Sequence, residues 1–255
     1  MTNAAAPCAF CEKLGSSKEH VFAQWISDVL VGTEPFNLKR SGGRTKVGLR
    51  TVGVTTRAAC VTCNNTWMSQ FEDAAKPIIS PLVGGESATW KAGATQIEVA
   101  RWAFKTALMF DRSSRPPDVS PLEHCTYLFR ERVPPPSAQV FLGLYQPRPT
   151  DTEFISVGAG VARLGEGDAG VPADLGAYRI TFNVGQVIFQ IYGYAGTTKL
   201  GYSFERGLFV DIGDQEVAVE DGFRQLWPLS HRPYEWPPQG AQFDTGGLRL
   251  LEPLP

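Results

Sequence analysis

The chain has 255 residues, enough for one or two hydrophobic cores. Its 24 Lys/Arg against 26 Asp/Glu leave a net charge of −2, which excludes a globally basic nucleic-acid coat while leaving room for a local basic patch. A hydrophobic share of 43% excludes broad disorder, and 26 Gly with 19 Pro point to a turn-rich β portion rather than a helical bundle.

In chain order, Ser16 or Ser17 is placed to cap a helix from His20 to Val31, where Val21, Phe22, Trp25, Ile26, Val29 and Leu30 recur at helical spacing. Lys46 to Thr56 alternates weakly and predicts strands around Gly53. Asn64 to Val83 reads as a helix that Pro77 should kink or end. Gln96 to Asp111 is apolar most of the way round, as in a core helix, but Glu98, Arg101, Lys105 and Asp111 interrupt it too often for a membrane span. Ser120-Pro121-Leu122-Glu123 has the form of a capping box opening a helix to about Glu131. The period then changes to alternation. Strands are expected over Gln139–Tyr145, Phe154–Leu164, Tyr178–Val184 and Gln186–Tyr194, with a weaker one over Phe204–Val210 and a hairpin at Gly185. The tail beyond shows little regular pattern. The expected organisation is a module over 1–85 followed by an α+β domain over 95–255, two helices on an antiparallel sheet. Residues 1–7 lack a basic start followed by an apolar run, so the expected compartment is the cytoplasm, with no membrane association.

Chemistry concentrates in the first module. Cys8/Cys11 and Cys60/Cys63 are two C-x2-C pairs, and two such knuckles supply four thiolates to one tetrahedral ion, which suits structural zinc. Cys125 stands alone on an apolar helical segment and reads as a small core residue. Glu19-His20 lies beside the first knuckle and Asn64 directly follows the second. A neutral imidazole takes a proton from water near pH 7, and a carboxylate with an amide carbonyl suits a hard divalent cation. His124 and His231 have no metal-ligand neighbours in sequence and read as structural; Glu72 reads as a solvated charge. The first 80 residues carry 9 Lys/Arg against 6 Asp/Glu, a net of +3, and the remainder 15 against 20, a net of −5. From Pro35 to Arg57 there is no acid, while Lys39, Arg40, Arg44, Lys46, Arg50 and Arg57 offer contacts to phosphate.

Cys-x2-Cys, Glu-His-Val-Phe-x-x-Trp and Cys-x2-Cys-Asn-Asn-x-Trp, spread over residues 7–75, resemble the HNH, or ββα-metal, endonucleases, most closely the zinc-stabilised branch with paired knuckles. Trp227-Pro228 and Trp236-Pro237-Pro238 also resemble the tails of long bacterial proteins of this kind. The resemblance implies a treble-clef (ββα-metal) module with structural zinc on Cys8, Cys11, Cys60 and Cys63. It implies His20 as general base, Glu19 and Asn64 as ligands of a catalytic Mg²⁺ or Mn²⁺, DNA as substrate, and a 5′-phosphate product. The family's usual central asparagine, just upstream of the second knuckle, is absent: the chain reads Val54-Thr55-Thr56-Arg57-Ala58-Ala59, leaving Thr55 or Thr56 as the substitute. The alternative expectation is therefore a catalytically degenerate module that binds nucleic acid or protein without cutting. A third makes the aromatic-rich sheet, with Phe182, Phe189, Tyr192 and Tyr194, the pocket of a small-ligand sensor.

Overall fold

Helical and alternating periods sort into two layers in the computed structural model. It describes residues 6–31 (less 16), 36–38, 46–49, 54–83, 86, 88–90, 93–113, 118–144, 159–163, 176–185, 187–197, 209–212, 215–218, 223–229, 234–236, 242–243 and 250–251. The first elements are β1 (Glu19–His20), α1 (Gln24–Val31), β2 (Phe36–Leu38), β3 (Lys46–Leu49) and β4 (Thr55–Thr56). A nearly unbroken helical rod follows: α2 (Val61–Cys63), a π-helical turn (Asn64–Met68) and α3 (Ser69–Val83). Then come β5 (Ala88–Trp90), α4 (Ala94–Asp111), α5 (Leu122–Glu131), β6 (Ala138–Leu144), β7 (Ala159–Arg163), β8 (Tyr178–Val184) and β9 (Val187–Gly193). The last are β10 (Phe209–Ile212), β11 (Gln215–Ala218), β12 (Phe223–Trp227), β13 (Tyr234–Trp236), β14 (Gln242–Phe243) and β15 (Leu250–Leu251).

The main sheet has five antiparallel strands in the order β12-β6-β9-β8-β7, so the α+β class with an antiparallel sheet is as expected. Gly185 turns the β8–β9 hairpin with φ 57, a conformation that costs glycine little. A Cβ there would stand 2.9 Å from both the Val83 side chain and carbonyl, so the turn is also where the sheet abuts α3.

Several sequence expectations need correction. His20 lies in β1, opposite Thr55, and α1 starts only at Gln24. Pro77 does not end its helix: α3 runs through Pro77 and Pro81, because Phe71, Ala75, Ile79 and Leu82 bury the opposite stripe while Pro77 faces water. The capping box does not form, since Ser120 Oγ donates to Asp111 (2.5 Å) and the Glu123 carboxylate accepts from the Gly196 N–H. The tail is not patternless, because β12 forms an edge of the main sheet. Residues 204–208 of the predicted Phe204–Val210 strand lie outside the described residues.

α4 is the axis of the core. It packs on α3 and α5 and on β6, β8, β9 and β12. Trp102 meets Phe189 at 5.5 Å, Phe182 at 6.0 Å and Trp25 of α1 at 5.7 Å between ring centroids. One continuous set of buried residues runs from Cys8 to Leu226, so the two expected domains share a core. Glu72 of α3 is held within it rather than solvated. Its carboxylate accepts from Trp25 Nε1 at 2.9 Å, Trp102 Nε1 at 2.6 Å and Lys105 Nζ. Three donors from α1 and α4 offset the desolvation of a charge at this depth. In Glu72→Ala the Lys105 side chain, 5% exposed, loses its counter-charge and both indoles lose their acceptor. The expected cost is about 3–5 kcal/mol in urea unfolding. A loss under about 1 kcal/mol would show that the three donors find other partners.

Candidate metal centre and the adjoining polar cluster

Short backbone bonds build the first knuckle. Cys8 N donates to Lys13 O and Glu12 N to Cys8 O, each at 2.9 Å, and Glu12 takes a left-handed φ of 62 to close the turn. The second knuckle sits at a helix start: Cys60 caps α2, and its Sγ accepts from Cys63 N at 3.4 Å. Ala9 N to Ala58 O (2.8 Å) ties the two together, and Cys60 N donates to Cys8 Sγ at 3.4 Å. Cys8 and Cys63 Sγ are then 3.9 Å apart and Cys11 and Cys60 Sγ 3.7 Å, with all four sulfurs within 4.8 Å of one another. Disulfide sulfurs would sit about 2.05 Å apart, and all five cysteines are free thiols. A regular tetrahedron of roughly 2.3 Å Zn–S bonds has edges of roughly 3.8 Å, so the cluster fits a metal ion and is compatible with structural zinc. Cys8, Cys60 and Cys63 are buried, which makes the site closed rather than open to substrate. Burial pushes the Cys63 and Cys11 thiols up. At Cys60 the same burial is outweighed by the Cys63 N–H and the neighbouring thiols, and the net shift is downward.

The scaffold brings two of the three predicted polar residues into contact. Asn64 opens the π-helical turn straight after Cys63, and its Nδ2 donates to Glu19 Oε2 at 2.6 Å. Exchanging the amide's nitrogen and oxygen would instead turn Oδ1 towards the carboxylate, since the two ends are interchangeable by a flip. Ser17, which the sequence offered as a helix cap, donates from Oγ to Glu19 Oε1 and to Ala59 O (3.3 Å). Ser16 lies outside the described residues. His20 does not join the contact. Successive strand residues point to opposite faces, and His20 is exposed with no hydrogen bond among the described residues. Thr55 is its cross-strand neighbour, while Thr56 is buried and donates to Arg112 O at 3.1 Å, which removes Thr56 as the substitute for the missing asparagine. Of the basic stretch, Arg57 is exposed and Lys46 begins β3; Lys39, Arg40, Arg44 and Arg50 lie outside the described residues.

Cys125 and His124 are core residues, as expected. Burial pushes the Cys125 thiol up to about 11. His124 Nε2 lies 2.8 Å from Gly196 O, which only accepts, so Nε2 carries the proton and Nδ1 accepts from Tyr178 Oη at 2.7 Å. Ser137 Oγ also donates to Gly196 O (2.6 Å) and lies 3.1 Å from His124 Nε2, the nitrogen that carries the proton. Burial pushes the His124 imidazole below its ordinary value of 6.5. The unfolded chain therefore takes up a proton near about pH 6.5 that the native state refuses until lower pH, and stability falls as pH drops through that window. In urea unfolding between about pH 7.5 and 5.5, the wild type should lose more stability than His124→Gln. Equal losses would remove His124 from the acid sensitivity. His231 lies outside the described residues.

No described helix is long and apolar enough to cross a membrane. Comparison with protein-family models, curated proteins and solved structures finds no match.

Proposed function

We propose that the chain is a metal-dependent endonuclease of the HNH (ββα-metal) type, cutting DNA from a zinc-built treble-clef module. The observation that carries this reading is the Glu19–Asn64 contact at 2.6 Å, made between a strand and the helix start that directly follows the second knuckle. A carboxylate and an amide side by side form the start of a hard-cation site, and Ser17 adds a hydroxyl to it. The π-helical turn at Asn64–Met68 supports the same reading, since such turns are frequent at functional sites. Zinc on Cys8, Cys11, Cys60 and Cys63 would be purely structural.

Glu19 with its carboxylate and Asn64 with its amide oxygen would hold a Mg²⁺ or Mn²⁺ ion, which would supply positive charge at the scissile phosphate and the leaving oxygen. His20 takes a proton from the attacking water through its free ring nitrogen; the new O–P bond forms as the P–O3′ bond breaks, leaving a 5′ phosphate. Arg57 and the cations before it provide sequence-blind attraction to the phosphate backbone, and the main sheet is left to choose the target.

A second reading is a module that binds nucleic acid without cutting. It rests on the absent central asparagine together with Thr56 being committed to Arg112 O. Supercoiled plasmid incubated with the full chain and Mg²⁺ or Mn²⁺ separates the two. Nicked and linear products that disappear on adding EDTA are expected; retarded but uncut plasmid under every divalent metal would leave only the binding module.

A further inference from the structure

Two buried nitrogen donors beside the cysteine cluster have no hydrogen-bond partner: Trp67 Nε1 and Arg132 Nη1. Leaving a buried donor unpaired costs about 1–3 kcal/mol, so two at one place call for an acceptor. The residues are locked rather than loose. Trp67 is 3% exposed and stands one turn after Cys63. It packs edge-on to Phe10, the residue between Cys8 and Cys11, at 5.5 Å, and to Phe71 at 5.3 Å. Arg132 comes from the far side of the 85–95 junction. It ends α5 in a left-handed conformation, φ 58 and ψ 20, which a non-glycine residue adopts at a cost of roughly 1–2 kcal/mol. That conformation accompanies a guanidinium lying 4.8 Å from the centroids of both Trp67 and Phe129. Among the described residues, the other non-glycine residue with positive φ is Glu12, which closes the first knuckle.

We infer that Trp67 and Arg132 are the outer-sphere partners of the metal centre, so that a residue of the second segment completes a site whose four ligands all belong to the first. The inference rests on the reading of the four cysteines as a zinc site. Four thiolates around Zn²⁺ carry a net charge of −2 in a closed, poorly solvated place, where one cation and one directed N–H lower the charge density on sulfur. The sulfur concerned is that of Cys63, which lies one helical turn before Trp67 on the same helical rod. Metal retention and docking of α5 are thereby one event.

The test uses the full chain carrying Arg132→Gln, Arg132→Lys or Trp67→Phe, the last of which keeps an aromatic ring in place and removes the N–H. In competition with a chromogenic chelator, wild type should retain about one zinc per chain, and Arg132→Gln and Trp67→Phe should hold it about 10–100-fold less tightly. Arg132→Lys, which keeps the charge, should recover part of the loss. In the cobalt-substituted chain, the sulfur-to-metal charge-transfer band should move to lower energy in Arg132→Gln and Trp67→Phe, a change that packing alone does not produce. Wild-type protein without zinc overturns the metal reading and this inference with it. Zinc-loaded wild type whose variants match it in affinity and cobalt spectrum overturns the inference alone.

Discussion

Cys60→Ala should abolish the fold of the first 80 residues and take the metal with it. Structural zinc contributes roughly 10–16 kcal/mol of apparent binding energy in small zinc modules, which is comparable to the whole stability of a domain, about 5–15 kcal/mol. Cys60 also ties the two knuckles together. Its N–H donates to Cys8 Sγ, its sulfur accepts from Cys63 N, and its carbonyl accepts from Asn64 N at 3.0 Å. Removing its sulfur opens the tetrahedron and frees the helix start that positions Asn64. Because the core continues from Cys8 through α3 and α4, the loss should spread to the Trp25–Glu72–Trp102 junction and lower the cooperativity of the whole chain. Metal analysis should fall from about one zinc per chain to near zero, with loss of helical circular dichroism and of Trp fluorescence order. A Cys60→Ala protein with wild-type helicity, matched by a wild type indifferent to strong chelators, would dismiss the metal as the module's source of stability.

His20→Ala should leave DNA binding intact and lower cleavage by about 10²–10⁴-fold, the usual contribution of a general base. That corresponds to roughly 3–5 kcal/mol of barrier. The substitution is informative because His20 is exposed and makes no hydrogen bond among the described residues. Surface changes of this kind shift stability by no more than about 0.5 kcal/mol, so a lost rate reads as lost chemistry. Binding measured by gel shift without divalent metal should keep its affinity and salt dependence, which the proposed function assigns to the cations before and at Arg57. Equal cutting by wild type and His20→Ala would exclude His20 as the base.

Much of the frame was legible because it is written in local periods. The β8 strand has the bounds its alternation predicts, and the Gly185 turn follows from the conformational freedom of glycine. α4 is buried nearly all round, as its apolar circumference requires. The C-x2-C spacings by themselves restrict the sulfurs to two knuckles that one ion can join. The misreadings have a common cause. His20 to Val31 has helical spacing throughout, yet β4 supplies a partner strand and the first residues pair with it. Ser120 and Glu123 have capping-box spacing, but Asp111 and Gly196 compete for them and win.

The sequence by itself determined the chemistry available: four thiols in two pairs, an acid and imidazole beside one pair, an amide beside the other, and a basic stretch between. Only the tertiary structure decided which of these meet. Glu19 touches Asn64 across 45 residues of chain, while its immediate neighbour His20 stays apart. Glu72, one charge among many in the sequence, takes donors from two other helices, and Arg132 reaches Trp67 from beyond the expected domain boundary. The reason is physical. Spacing along a chain sets which residues share a face, but contacts between faces depend on how the apolar surfaces of distant elements pack, and no local period encodes that.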